Sequence, residues 1–324
     1  VVGGNWAAAV CLLTLGADRF CVDSTKNTLL HLAARHGHVK TVEGLLLFIA
    51  SELNAINLDG ETAVHVAARA AAAACFDRLL VATQTKLNIA NHEGDTVMHI
   101  LVRLPESSIK QAMLSRFMLN VRTHTNLSTI NDAGYTPFQL AVMLGMHKTT
   151  ESLVHIRPAL AQCPTGPMAS HPSAGLLPIH LAALYGRHDT LHILLECWPT
   201  AACALLPDGR STLHLAVSRW EFAVGPDLDR LSCLQTLIQA GVMVNHQDCM
   251  GNTPLHCIMV HIAMYRENYE GIDFEVLIDG LHKETKLSEV ASRLRPHWPL
   301  AAALLLTLSG ADWERRNGSG ARPA

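Results

Sequence analysis

The stretch Gly251-Asn252-Thr253-Pro254-Leu255-His256 contains a four-residue phrase, Thr-Pro-Leu-His, that decides the fold because it recurs along the chain. The other copies are Thr28-Leu29-Leu30-His31, Thr62-Ala63-Val64-His65, Thr96-Val97-Met98-His99, Thr136-Pro137-Phe138-Gln139, Leu177-Pro178-Ile179-His180 and Ser211-Thr212-Leu213-His214. Along the chain, the fourth residues of all seven copies are 34, 34, 40, 41, 34 and 42 positions apart. One basic period with insertions in three intervals indicates an array of repeated helical units.

Each position of the repeat has a structural task. Threonine caps the first helix, and proline fits its first turn because no N–H is needed there. Small pairs such as Ala33-Ala34 let neighbouring helices approach closely. The Leu-rich segments 42–46 and 190–195 then predict a second helix, and the Gly-Ala-Asp phrases at 16–18 and 310–312 predict helix ends capped by glycine.

A hairpin is predicted between successive repeats. Asp or Asn lies at 23, 57, 91, 131 and 248, and Gly lies at 60, 94, 134, 175, 209 and 251, two residues before the Thr position. Glycine favours the positive φ angles of such tight turns. Lys26 replaces glycine in the first hairpin, so that hairpin departs from the pattern.

Together these positions resemble the ankyrin signature T-P-L-H over essentially the whole chain. The resemblance implies an all-α solenoid of helix-turn-helix units joined by short β-hairpin loops, in one array over residues 1–324. A half repeat spans 1–22, repeats start near 23, 57, 91, 131, 172, 206 and 248, and a further repeat starts at 317–324. Since neither end supplies a polar capping repeat, we expect an array truncated at both ends and cut from a longer protein.

Two kinds of irregularity are expected. Insertions near 163–168, 221–227 and 261–299 map to loops, which are often functional. Ala70–Ala74 and Leu104-Pro105-Glu106 replace the usual glycine turn between the helices of the second and third repeats, so irregular turns are predicted there.

Composition excludes several classes of function. With 25 Lys+Arg against 28 Asp+Glu, no general affinity for nucleic acid or anionic membrane is implied. The apolar stretches 6–17 and 299–308 are too short to cross a bilayer, which takes about 20 residues. Nine cysteines without a C-x-x-C pair indicate reduced thiols and a cytoplasmic location.

The 19 histidines invite a metal-site interpretation, but no Cys, His and carboxylate group has ligand spacing. Six histidines occupy the fourth position of the phrase, where the ring is expected to bond hairpin backbone. The predicted structural residues are Thr28, His31, Thr62, His65, Thr96, His99, Thr136, His180, His214, Thr253 and His256. No phosphate loop, nucleophile elbow or other catalytic motif is present, so this chain is predicted to be no enzyme and to hold no metal or cofactor.

An arginine ladder is the main candidate binding feature. Arg35, Arg69 and Arg103 recur every 34 residues just after the small pair of the first helix. With His36 they predict a cationic end of a concave groove, which continues through Met143, Leu144, Leu184, Tyr185, Arg219 and His261. Such a groove would bind an extended peptide or protein surface with acidic and apolar residues. An equally good interpretation is that each arginine pairs with hairpin carboxylates such as Asp59, Glu61, Glu93 or Asp95.

The order of features over residues 131–323 resembles the ankyrin region of the Mind bomb family of E3 ubiquitin ligases. Gly134-Tyr135-Thr136 opens a repeat that precedes the Pro-rich insertion, and the phrase at 251–256 precedes a long insertion containing Leu277-Ile278-Asp279-Gly280-Leu281. The array resumes at Ser309-Gly310-Ala311-Asp312. The resemblance implies a parent ligase in Notch signalling, whose zinc-binding RING fingers would lie outside this chain. The alternative is a non-enzymatic ankyrin adaptor or signalling scaffold.

Overall fold

The computed structural model of the chain describes residues 1–49, 52–82, 85–120, 127–166, 175–218, 230–264 and 298–323. The chain forms two compact units. Unit 1 comprises Val1–Ala141 and Thr165–Ala174, and unit 2 comprises Val142–Pro164 and Gly175–Ala324.

Unit 1 is built from two layers of helices. The first layer contains α2 (Leu29–Arg35), α4 (Ala63–Arg69) and α6 (Val97–Arg103), and the second contains α1 (Trp6–Thr14), α3 (Val39–Phe48), α5 (Ala73–Val81) and α7 (Ser108–Asn120). Neighbouring helices within each layer pack side by side. The core lies between the layers, where Leu30, Leu45, Phe76 and Phe117 are fully buried. The boundary between the units falls within α8 (Pro137–Leu144).

Unit 2 repeats this arrangement. Its first layer contains α10 (Pro178–Leu184), α12 (Thr212–Val217) and α14 (Pro254–Met264), and its second contains α9 (His147–Ile156), α11 (His188–Cys197), α13 (Arg230–Gln239) and α15 (Trp298–Leu308). Short 3-10 helices follow α9 at Pro158–Gln162 and α11 at Pro199–Cys203. Each unit is an all-α solenoid, which confirms the predicted fold class.

The hairpins join these helices with little extended structure. In the described residues, the hairpins show only isolated antiparallel bridges, Val22–Thr28 and Leu205–Ser211. Gly60, Gly94 and Gly134 have φ between 73° and 83°, and Lys26 takes the same backbone conformation at φ 58°. The hairpin therefore forms without glycine in the first repeat.

The two turns that lack glycine differ from each other. The prediction of an irregular turn is wrong for the second repeat, where Ala71 adopts φ 50°, close to the 71° of Gly37. Backbone bonds from Ala71 and Ala72 to Ala68 and Ala67 close that turn at 2.9 and 3.0 Å. In the third repeat, Leu104 is extended (φ −64°, ψ 146°), so the irregular turn predicted there is confirmed.

The insertions fall largely outside the described residues. Of the first, residues 163–166 are described, whereas 221–227 and 265–297 are not. Helix α14 continues to Met264, so it extends past His261, where the third insertion was predicted to begin. Across the described residues, no helix has the length and apolar character needed to cross a bilayer.

Candidate functional site

Threonine and histidine of the repeated phrase form one hydrogen-bonded unit at the start of each first helix. In the first repeat, His31 Nδ1 accepts from the Thr28 backbone N–H at 3.1 Å and lies 2.8 Å from Thr28 Oγ1. Thr62–His65, Thr96–His99, Ser211–His214 and Thr253–His256 repeat both contacts. Leu177 has no hydroxyl, so only its N–H reaches His180. The histidine thus accepts a hydrogen bond from a backbone N–H group that has no acceptor within the helix.

The other ring nitrogen links one repeat to the next at five of the six histidines, whereas His65 Nε2 is buried without a hydrogen-bond partner in the described part of the chain. His31 Nε2 lies 2.8 Å from the Glu61 carbonyl oxygen, and His99 Nε2 lies 3.0 Å from that of Tyr135. The rings of His180, His214 and His256 reach the carbonyl oxygens of Ala204, Asn252 and Ala321. The expected bond to backbone of the following hairpin is therefore present for these five histidines and, among the residues that the structure describes, missing for His65. We call each such Thr–His–carbonyl connection a histidine bridge.

The histidine bridges require neutral rings. Nδ1 accepts a hydrogen bond and Nε2 must donate one to a carbonyl oxygen, which is the pattern of the Nε2–H tautomer. Burial lowers the pKa of His65 to about 4 and also lowers the pKa of His31, His99, His180 and His214. In the fourth repeat Gln139 replaces histidine, and its Oε1 accepts from Thr136 N–H at 2.8 Å.

The arginine ladder is mostly neutralised within the chain. Arg69 Nε donates to Glu61 Oε1 at 3.0 Å, which raises the pKa of that guanidinium. Arg103 Nη2 lies 3.2 Å from Asp95 Oδ2 and Arg103 Nη1 lies 3.9 Å from Glu93 Oε2. The interpretation that hairpin carboxylates pair with the arginines therefore holds for these two. Within the described ranges, Arg35 has no carboxylate oxygen within ion-pair distance and remains exposed.

A groove of about 610 Å³ crosses the first three hairpins of unit 1. Two basic residues, Arg35 and Arg69, line it together with three acidic residues, Asp59, Glu61 and Glu93. The expectation of a cationic groove is therefore wrong for this surface. The reason is that the hairpins, whose tips carry carboxylates, form one wall. We call this surface the unit 1 groove.

The remaining predicted groove residues lie in different environments. Met143 and Tyr185 are half-buried, Leu144 is 37% exposed and His36 is exposed. Leu184 and His261 are buried, so their predicted place on an open groove is wrong. Arg230 covers the end of α10 by donating to the Leu184 carbonyl, and His261 belongs to the extended part of α14. Arg219 lies outside the described residues.

Comparison with known proteins agrees with this geometry. A family model described as ankyrin repeats (3 copies) matches residues 3–88. The structure of the ankyrin repeat domain of Bcl-3, a member of the IkappaB protein family, is similar with a TM-score of 0.57 at 21% identity, over 71% of this chain and 92% of that one. Residues 3–88 therefore match ankyrin repeats in sequence, and the chain has the ankyrin-repeat fold. The human ASB11 ankyrin repeat domain is also similar, with a TM-score of 0.51 at 19% identity, over 74% of this chain and 94% of that one. No curated protein matches the sequence significantly.

Buried cations of the ankyrin array are a feature that sequence reasoning missed. Lys110, fully buried in α7, donates from Nζ to the carbonyl oxygens of Val102 and Leu104, both at 2.8 Å. Arg187 Nε donates to the Met143 carbonyl at 2.9 Å, and Arg230 Nη2 donates to that of Leu184 at 3.0 Å. Burial lowers the pKa of Arg230 to about 10. These cations cap the ends of first helices, and the only sequence signal is a basic residue near the start of a second helix.

Histidine, cysteine and acidic side chains do not converge as metal ligands in the part of the chain that the structure describes. Among the described residues, no group of three or more His, Cys, Asp or Glu is arranged to hold a metal ion. All nine cysteines are free thiols.

Proposed function

We propose that the ankyrin array binds an extended segment of a partner protein in the unit 1 groove. The observation that carries this proposal is the groove itself, about 610 Å³ in volume and lined by side chains from three successive hairpins. Its charged residues have both signs, and they stand beside amide groups and the aliphatic Val66. A surface of mixed polarity suits a protein segment better than the uniform anion of a nucleic-acid backbone or a membrane surface.

The dimensions of the groove favour an extended segment. Neighbouring packed helices lie about 8–10 Å apart, so three successive repeats extend over roughly 20 Å. An extended chain advances about 3.3 Å per residue, and about six residues therefore span the groove.

A selection from a random dodecapeptide display library against the full chain tests this function. We expect peptides whose binding protects residues 57–61 and 91–95 from hydrogen exchange, because these hairpin residues form the groove wall. Selected peptides that protect only unit 2, or a selection that yields no specific binder, would contradict the proposal.

We further propose that the array is the recognition arm of a Mind bomb-like RING E3 ubiquitin ligase acting in Notch signalling. The support is the order of features over 131–323, from Gly134-Tyr135-Thr136 to Ser309-Gly310-Ala311-Asp312. The described part of this region contains ankyrin helices alone, so any ubiquitin transfer would depend on RING fingers outside the chain. The nine free thiols support a cytoplasmic location for such a protein.

The coding sequence that follows Ala324 tests the ligase proposal directly. Cys/His pairs at RING spacing, together with ubiquitin transfer by the full-length product to a Notch ligand in a purified reaction, would support it. A stop codon or a different module would favour the alternative, a non-enzymatic adaptor that uses the same groove.

A further inference from the structure

Arg35 differs from the two other ladder arginines at one repeat position. The residue eight positions earlier is Glu61 for Arg69 and Asp95 for Arg103, and both carboxylates pair with their arginine. For Arg35 the same position is Asn27, an amide that bears no charge. Arg35 therefore lacks the partner that its repeat neighbours have, and it lines the unit 1 groove together with Asn27.

The first hairpin does contain an acidic residue, Asp23, but its carboxylate accepts hydrogen bonds from the hairpin turn itself. Asp23 Oδ1 accepts from the backbone N–H groups of Thr25 and Asn27 at 2.9 and 2.8 Å. Its Oδ2 accepts from Asn27 Nδ2 at 3.0 Å. These hydrogen bonds, that from the Asn27 side chain above all, lower the pKa of Asp23 to about 2. In the second and third hairpins the order is reversed, with Asn57 and Asn91 inside the turn and the acid facing the arginine.

We propose that a carboxylate of the partner segment pairs with Arg35 from the groove side, in the role that Glu61 and Asp95 have in the next two repeats. The inference rests on the proposed binding of an extended segment in the unit 1 groove. A planar guanidinium can hold a carboxylate by two hydrogen bonds. In the next repeat, Arg69 does so within the chain, with Nε and Nη2 both donating to Glu61 Oε1. The carboxylate is an acidic side chain of the segment.

The rest of the groove selects against a uniformly acidic partner. Asp59 is exposed at the second hairpin and the Glu93 side chain is 66% exposed at the third. Like charges facing these residues would repel, whereas lysine or arginine would be attracted. Since hairpins of neighbouring repeats are about 10 Å apart, the basic residue should follow the acidic one at a distance of about three residues. The predicted partner class is an extended segment with one acidic residue and a basic residue about three positions away.

The dodecapeptide display selection is repeated with variants of the full chain to test the role of Arg35. Arg35→Gln removes the guanidinium. The exchange Asp23→Asn with Asn27→Asp copies the order found at Asn91 and Asp95, and it gives Arg35 an internal carboxylate without altering net charge. Arg78→Gln is the matched control, because Arg78 is a 60% exposed arginine that pairs with Glu43 on the second helix layer.

We expect wild type and Arg78→Gln to select peptides with the acidic and basic pair. Both Arg35→Gln and the exchange variant should lose the acidic preference and bind the wild-type peptides about tenfold more weakly, as expected for a lost charge-assisted hydrogen bond. Circular dichroism verifies folding of each variant, and if the exchange variant does not fold, Arg35→Gln alone decides. Groove-binding peptides whose acidic preference survives Arg35→Gln would overturn the role of Arg35 and leave the proposed function standing. Absence of any groove-binding peptide from wild type would overturn both.

Discussion

At the scale of single residues, two residues other than glycine adopt the left-handed backbone conformation with positive φ that glycine usually adopts. Lys26 has φ 58° in the first hairpin and Ala71 has φ 50° in the turn between α4 and α5. A Cβ atom in this region costs about 1–2 kcal/mol because it approaches the following carbonyl oxygen. Gly37, Gly145 and Gly186 occupy the position of Ala71 in other repeats with φ between 63° and 72°.

We therefore predict that Ala71→Gly stabilises the protein. Relief of the Cβ strain outweighs the extra chain entropy that glycine brings to the unfolded state, which leaves a gain of about 0.5–1 kcal/mol in the free energy of unfolding. Urea denaturation followed by circular dichroism measures this change. Ala70→Gly serves as the control, since Ala70 has φ −78° and should lose stability instead. A destabilised Ala71→Gly variant would contradict the argument.

At the scale of elements, the end of α6 is stabilised from outside the helix. Leu104 leaves the helix in an extended conformation, so no glycine turn satisfies the last carbonyl groups. Lys110 Nζ of α7 donates to the carbonyl oxygens of Val102 and Leu104. The same Nζ lies 3.6 Å from Glu106 Oε1. Burial lowers the pKa of Lys110, and the acid and the carbonyl oxygens oppose this change by favouring the charged form.

Replacement of this cap should be costly. Lys110→Met keeps the length and apolar stem of the side chain but leaves two buried carbonyl oxygens without their donor, and we expect a loss of about 2–3 kcal/mol in the free energy of unfolding. Lys148→Met, at an exposed position of α9, is the matched control and should change stability by less than about 0.5 kcal/mol. Equal urea midpoints for the two variants would show that Lys110 is no cap.

At the scale of the whole molecule, the histidines of the repeated phrase lie in both units, and each ring must be neutral because its Nδ1 accepts a backbone hydrogen bond. The pKa of His65 falls from 6.5 to about 4 on folding because the ring is buried. Below pH 6.5 the unfolded chain therefore binds protons that the folded chain does not, and the free energy of unfolding falls as the pH falls. The contribution is complete above pH 6.5 and is lost progressively down to about pH 4.

We predict that urea denaturation shows a steep loss of stability between pH 6.5 and 4, to which His65 alone contributes up to about 3 kcal/mol. His65→Gln should flatten this dependence, since Gln139 shows that an amide fits the position. The control is His155→Gln, because the His155 side chain is 72% exposed. An unchanged pH profile for His65→Gln would contradict the argument that the buried ring of His65 is neutral in the folded chain.

Most of the fold could be predicted because the information is local and repeated. Thr28 and His31 are three residues apart on one helix, and their contact follows from the start of that helix alone. The helix ends at Gly16 and Gly310 follow similarly from Gly-Ala-Asp, and both glycines adopt φ 91°. Ala71 escaped prediction because packing of α4 against α5 holds it in a strained conformation that local preference disfavours.

The sequence by itself determined the repeat, its helices, the bridging histidines and the position of the arginine ladder, because each depends on spacing within one 34-residue unit. The tertiary structure decided which charges remain available to a partner. Arg69 and Arg103 meet carboxylates that lie eight residues earlier in the chain. Only the structure showed that Asp23 accepts hydrogen bonds from its own turn and leaves Arg35 without a carboxylate from the described hairpins. The physical reason is that ion pairing depends on distances of a few ångströms between side chains, which spacing along the chain leaves open.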